Sequence, residues 1–409
     1  MKVLWLGHNL AYPPKGGALQ RNYNLLREIS RKAEVHFIGF DQPNTRPPNV
    51  NSEACLEEVG RFCASADWVP LETGLLQRSR QVLAIRGMVT GQPYDFTWLR
   101  SQRMANKLAA LVRRVALDVV HVDALGLSQY LPIFGRVGSV LNHHDVESSK
   151  IALRSANATR SLARWYFAQE AQRLRMAESH WCPQFGVNAV VSREEGDALL
   201  RLAPGSILQV VPNGVDTDYF TPRRDPGGQT VLFCGSMDMH PNQEAMDYFV
   251  HKIWPLIVGS VPQARLQIVG RKPPRWLLEI GEREPRIEVT GFVDDVRPYF
   301  RSAAVCICPI LSGGGTRLKI LDSLAMGVPV VATRFAASGL DLEHERHLVF
   351  GDTPQEFAAH TRRLLRDPSL RSRLSAAGAE RVDRLYSWSV VGQAMLDAYD
   401  LALQRRSLH

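Results

Sequence analysis

The sequence predicts an α/β protein made of two doubly wound domains, each a parallel sheet covered on both faces. Three observations predict it. Short β-branched apolar runs alternate with amphipathic helical patterns along the whole chain. A stretch rich in Pro, Gly and Asp, VVPNGVDTDYFTPRRDPGG, lacks periodicity and divides that alternation in two. In the second half a glycine-rich loop follows a strand and opens a helix. In doubly wound sheets, ligands bind at such strand ends.

The elements follow in order. KVLWLGH is a buried first strand rather than a secretory signal, because its apolar run stops at Gly7-His8-Asn9 with no small-residue cleavage pattern. The loop YPPKGG leads into ALQRNYNLLREISRK, where Leu19, Tyr23, Leu26 and Ile29 share one helical face. EVHFIGF, DVVHVDA and GSVLNHHDV read as further strands. IALRSANATRSLARWYFAQEAQRLRMAESH reads as one helical stretch, with Arg154, Arg160, Arg164, Arg173 and Arg175 beside Trp165, Tyr166 and Phe167. In the second half QTVLFCGS, ARLQIVG, RIEVTGF, AAVCICPI and VPVVAT are strands. NQEAMDYFVHKIWPLI, VRPYFRSA and TRLKILDSLAMG are helices between them, and SWSVVGQAMLDAYDLALQRR is the last helix. The expected division is a first domain over 1–205, a linker over 206–227, a second domain over 228–385 and a closing helix over 386–409.

Composition sets the class. The 409 residues are 45% hydrophobic and 22% charged, ordinary for a globular protein able to bury two cores. No apolar stretch approaches the roughly 20 residues that span a bilayer, so a cytoplasmic protein is expected, attached at most to the inner membrane face. None of the six cysteines forms a Cys-x-x-Cys pair, and Cys306 and Cys308 alternate on a buried strand, as core thiols do. The net charge is +8, and residues 1–190 carry all of it, with 23 Lys and Arg against 15 Asp and Glu. An anionic surface or ligand suits that half, and so does a merely solvated Arg-rich face. No helix-turn-helix, zinc or RNA-binding pattern is present, so nucleic acid is not an expected partner.

The chemistry concentrates in CPILSGGGTRLKILDSLAMG. Gly313, Gly314 and Gly315 open a helix expected to start near Thr316-Arg317. Backbone N–H groups and a helix dipole there favour phosphate. Arg317 and Lys319 add full charges, and Asp322, about one and a half turns on, could accept ribose hydroxyls. A solvated loop before a surface helix is the plainer alternative. Neither a Walker A loop nor a G-x-G-x-x-G fingerprint occurs, which disfavours NTPases and dehydrogenases.

These residues resemble the donor motif of glycosyltransferase family 4, whose members are retaining enzymes of the GT-B fold. VVPNGVDTDYF is similar to the family's interdomain segment, and VLFCGSMDMHPNQEAMDYF to the opening of its second domain. ARLQIVGRKPP, IEVTGFVDDVRPYF and YSWSVVGQAMLDAY match its other motifs, closest to bacterial exopolysaccharide-type sugar transferases. The resemblance implies two Rossmann-like domains facing a cleft, with a C-terminal helix crossing back to the first. It implies acceptor binding by the first domain and a UDP- or GDP-type sugar donor on the second. His144, Arg317 and Lys319 become the catalytic candidates, with the register between His143 and His144 open. Gly16, Gly17, Asp145, Ser236, Gly270, Phe292, Val293, Gly313, Gly314, Gly315, Thr316 and Asp322 become donor-binding candidates. No metal and no cofactor are expected, the nucleotide sugar being a substrate. Asp294-Asp295 reads as the family's turn after a strand. A lipid-linked glycan acceptor and peripheral membrane contact through the basic first domain are further implications.

The chain departs from the family in three places. Of the usual Glu-x7-Glu, the first carboxylate is Gly314 and the second is shortened to Asp322. The usual Arg and Lys early in the second domain are replaced by Gly235-Ser236-Met237. Two other classes remain open on sequence: a nucleotide-sugar 2-epimerase-like enzyme on the same scaffold, and a non-catalytic scaffold protein.

Overall fold

The computed structural model describes every residue except Lys15, 44–49, 72–79, 223–227 and 407–409. Two units emerge, Met1–Pro212 together with Val391–His409, and Asn213–Val390.

The first unit holds seven parallel strands: β1 (Lys2–Gly7), β2 (Glu34–Asp41), β3 (Ser65–Pro70), β4 (Val119–Asp123), β5 (Gly138–Asn142), β6 (Val187–Val190) and β7 (Leu208–Val210). Their order is β3-β2-β1-β4-β5-β6-β7. The order reverses between β1 and β4, the switch point where ligands collect in such sheets. β4 and β5 are buried at every position, as strands covered on both faces must be. Trp5 on β1 stacks on His121 of β4 with centroids 3.6 Å apart. The helix Trp388–Arg406 spans the boundary at which the chain returns to this unit, and its Tyr399 hydroxyl bonds His121 Nδ1 at 2.9 Å.

Two expectations for this half change. The long helical stretch is two helices, Glu147–Ala156 and Ser161–Trp181. Ser155, Asn157 and Thr159 crowd residues that compete for backbone hydrogen bonds into five positions, and the first helix ends there. Ser155 Oγ then donates to the Arg164 carbonyl at 2.8 Å across the break. Leu208–Val210, assigned to the linker by composition, is the last strand of the first sheet, pairing with β6.

The second unit holds β8 (Thr230–Cys234), β9 (Arg265–Val269), β10 (Ile287–Gly291), β11 (Val305–Cys308), β12 (Val330–Ala332) and β13 (Val349–Phe350). All pairs are parallel, in the order β10-β9-β8-β11-β12-β13. The switch point lies between β8 and β11. The predicted helix NQEAMDYFVHKIWPLI is realised as His240–Tyr248, a wider π-turn over Phe249–Ile253, and Trp254–Val258. The wider turn lets Pro255, which lacks an N–H, sit in the first turn of the last segment. All six cysteines are free thiols. Among the described residues no helix is long and apolar enough to cross a membrane.

Candidate functional site

In the second unit the glycine loop leaves β11 at its carboxyl end. Gly313 and Gly315 have φ of +98° and +78°, the left-handed region that other residues adopt only under strain. The helix that follows is Leu318–Ala325, beginning later than Thr316, and Arg317 is its N-cap residue. Arg317 differs from expectation. Its guanidinium folds back to donate to the carbonyls of Gly314 at 2.7 Å, Gly313 at 2.8 Å and also Gly315. By bonding several carbonyls of its own loop, Arg317 fastens the loop.

Lys319 lies deeper. Its Nζ donates to Asn242 Oδ1 at 2.7 Å and sits 4.1 Å from the Phe233 ring centroid. A side-chain carbon on Gly235 would come within 2.5 Å of that ammonium, so the glycine makes its room. Burial holds the ammonium below its ordinary range, offset in part by the nearby Cys308 and Cys234 thiols and Asp322. Asp322 is the complementary case. Burial pushes its carboxyl up to about 7 against the pull of Lys319. Its Oδ1 is buried with no hydrogen-bond partner among the described residues. A buried acceptor without a partner is expensive and points to a ligand that supplies one.

The ends of β8 and β9 add groups that motif reading passed over. Gly270 is required by packing, since a Cβ there would meet the Gly235 carbonyl oxygen at 1.9 Å. Beyond it, Arg271 Nε donates to Ser236 Oγ at 2.8 Å and its guanidinium pairs with Asp238 at 3.3 Å. Arg271 thus brings a cation beside the Gly235-Ser236-Met237 stretch. Phe292, after β10, is 64% exposed, whereas Val293 packs partly against the core. Thr316 accepts Leu318 N–H at 3.1 Å through its carbonyl.

In the first unit, β1, β4 and β5 deliver His8, Asp123 and His144 to one point. The Asp123 carboxylate is fully buried. Its Oδ2 accepts from His8 Nδ1 at 2.7 Å and Asn22 Nδ2 at 2.5 Å. Its Oδ1 accepts from His144 Nε2 at 2.8 Å and Asn142 Nδ2 at 3.0 Å. Burial works to raise this carboxyl, yet the two imidazoles outweigh it and hold it well below the ordinary range. His8 shifts upward, because Asp123 outweighs the effect of burial. By spacing alone these three side chains could hold a metal ion. In this structure each carboxylate oxygen also lies within hydrogen-bond distance of two nitrogens. His143 turns the other way, into the core, with Nε2 3.0 Å from Asn188 Oδ1 and a pKa lowered by burial to about 4. His144 is therefore the histidine at the strand-end cluster. Asp145 is paired with Lys150 at 2.9 Å.

At the start of the first helix, Gly16 has φ +104° and caps Gly17–Ser30, accepting Gln20 N–H at 2.9 Å. A Cβ on Gly17 would meet nothing within 4 Å, so the fold itself does not require glycine there. Lys15 lies outside the described residues. His8, Asn22, Asp123, Asn242 and Arg271 carry no spacing motif. The one signal available was position, each standing at or near the end of a strand or in the helix that follows.

Two doubly wound parallel sheets, each with polar groups gathered beyond its switch point, define the GT-B class of fold. The family model for Glycosyltransferase Family 4 matches residues 15–219, and that for Glycosyl transferases group 1 matches 228–367. The chain belongs to glycosyltransferase family 4. It is 32% identical over 208 residues to a phosphatidyl-myo-inositol mannosyltransferase of Mycobacterium leprae, covering 48% of this chain and 54% of that protein. It is 28% identical over 321 residues to an MMP alpha-(1->4)-mannosyltransferase of Mycolicibacterium hassiacum, covering 75% of each. The first alignment thus spans about half of the relative's length. Among solved structures, Anabaena HepE in complex with UDP superposes with a TM-score of 0.66 at 13% identity, over 98% of this chain and all of that one.

Proposed function

We propose that this chain transfers a sugar, with retention and without a metal ion, from a UDP- or GDP-type donor bound by the second unit to a hydroxyl of an acceptor bound by the first. One observation carries the reading: a glycine loop with two left-handed residues stands beside a desolvated lysine and a buried carboxylate oxygen that has no hydrogen-bond partner among the described residues. Loop N–H groups and Lys319 would meet the charge that develops on the leaving diphosphate. Arg317 would shape the loop, and Arg271 would add charge from β9. Asp322 Oδ1 would accept from ribose, with Phe292 at the base end. In the first unit, Asp123 fixes His144 through Nε2, leaving Nδ1 for a sugar hydroxyl. Gly16 and Gly17 leave room for close approach by phosphate or acceptor. HepE, solved with UDP, supports a nucleotide-diphosphate donor.

Thermal-shift measurements with UDP, GDP, ADP, TDP and their sugars test the donor site, since a ligand stabilises the fold it binds. NMR of the donor incubated alone, in excess EDTA, then separates slow hydrolysis from epimerisation. A chain that no nucleotide stabilises would sink the reading.

The acceptor is the second part. Leu153, Leu162 and Trp165 are exposed on two adjoining helices, beside exposed Arg154, Arg160 and Arg164. Apolar and cationic groups together support docking on an anionic bilayer and a lipid-linked acceptor. Arg173 is not part of that face, being buried and paired with Glu170 at 2.6 Å.

A further inference from the structure

The helix His240–Tyr248 supports the donor loop along its side. Pro241 packs under Gly313, where a Cβ would come within 2.8 Å of its ring. Asn242 holds Lys319 and donates to the Ser236 carbonyl at 2.7 Å, and Gln243 donates to the Met237 carbonyl at 2.6 Å. Each of these contacts has an evident structural purpose. Glu244 is different. One carboxylate oxygen, Oε2, accepts from Ser312 Oγ, the residue before the three glycines. The other, Oε1, makes no hydrogen bond among the described residues, and the side chain is only half-buried.

An anion in that position is costly next to a diphosphate. Like charges brought close together in a partly desolvated site repel each other. A carboxylate is favourable only where it faces an uncharged, hydroxyl-rich part of the ligand, because hydroxyls donate to it in charge-assisted bonds. The loop offers no side chain of its own for this purpose, since 313–315 are all glycine. Lys319 and Glu244 thus divide the site by charge, one suited to phosphate and the other to sugar.

We propose that Glu244 selects the donor sugar, its free Oε1 accepting hydrogen bonds from hydroxyls of the hexose that is transferred. This rests on the donor-site reading above. The test uses the full chain and three variants, Glu244→Gln, Glu244→Ala and Ser312→Ala. The probes are UDP with UDP-glucose, and GDP with GDP-mannose, taking whichever pair stabilises the wild-type protein.

The expected result is a split. Bare nucleotide should bind wild type and both Glu244 variants within about threefold, while nucleotide-sugar affinity falls tenfold or more in Glu244→Ala and less in Glu244→Gln. Ser312→Ala, which cuts the tether but keeps the carboxylate, should stay within about threefold for both ligands. Equal losses for nucleotide and nucleotide sugar would overturn the proposal, as would a Ser312→Ala variant that copies Glu244→Ala, because either outcome makes Glu244 a loop support. If no nucleotide binds even the wild type, the donor-site reading fails and this proposal with it.

Discussion

Replacing Lys319 with Met separates catalysis from folding. Met keeps an unbranched stem over the Phe233 ring, where the ammonium now sits 4.1 Å from the centroid, and removes the charge together with its N–H donors. Burial makes that charge unfavourable and depresses the lysine's pKa, and its hydrogen-bond partner among the described residues is Asn242 Oδ1. Losing it leaves Asn242 Oδ1 short of a donor, at about 1 kcal/mol, while relieving a buried cation. The two effects oppose each other, so the unfolding midpoint should move by only a few degrees. Turnover should respond very differently. A cation about 4 Å from a developing phosphate charge contributes about 4 kcal/mol at an effective dielectric of 20. Losing one preorganised donor of this type costs roughly 10²–10³ in kcat. Steady-state kinetics on the best donor, with thermal unfolding of the same samples, measures both. Lys319→Met with kcat/KM within tenfold of wild type would refute the electrostatic role, and a midpoint lowered by ten degrees or more would make the lysine structural.

The other predictions concern the carboxylates and the basic face. The raised pKa of Asp322 means that the folded chain holds a proton the unfolded chain has released between pH 3.8 and about 7, so stability should fall as pH rises across that window. Asp322→Asn should flatten that slope in pH-dependent melts. Nucleotide affinity, if it needs the ionised form, should rise with pH up to about 7 in wild type and not in the variant. Asp123 is the opposite case: its stabilisation is present above pH 3.8 and is lost as pH falls through its depressed folded pKa. Asp123→Asn breaks a buried charge cluster and should cost roughly 3–5 kcal/mol at pH 7 in denaturant titrations, a gap that closes in acid. Changing Arg154, Arg160 and Arg164 together to Gln should weaken low-salt binding to anionic vesicles, at about 1 kcal/mol per charge, and leave nucleotide affinity unchanged. Equal sedimentation of variant and wild type would remove the membrane reading.

The strands most legible in the sequence are those the fold buries on both faces. Val3–Leu6 and Val305–Cys308 read as continuous apolar runs, and Val119–Val122 as one broken only by His121, because helices cover both sides of the sheet. The edges were harder. Ser65–Pro70 carries Ser, Asp and Pro and is mostly half-exposed, so its composition resembles a loop. Leu208–Val210 is three residues long inside a Pro- and Gly-rich stretch, and only its ladder with β6 makes it a strand. In the helical stretch over 147–181, the apolar positions continue through the break, so periodicity alone could not locate it.

The site shows a similar division for a different reason. Glycines with left-handed φ must be glycine, so Gly313 and Gly315 leave a local mark in the sequence. A buried polar network leaves no such mark, because its members come from distant strands that meet only on folding. Asp123 takes donors from residues 8, 22, 142 and 144. None of these pairings has a characteristic spacing, and each residue alone is an ordinary polar side chain. What brings them together is the switch point itself, since β1, β4 and β5 end side by side there. Arg317 and Glu244 extend the argument to the second unit. The residue a motif assigns to phosphate is engaged by its own loop's carbonyls, while a carboxylate from another helix occupies the flank of that loop. A loop motif therefore locates the candidate site, and the side chains that surround it arrive through the tertiary fold.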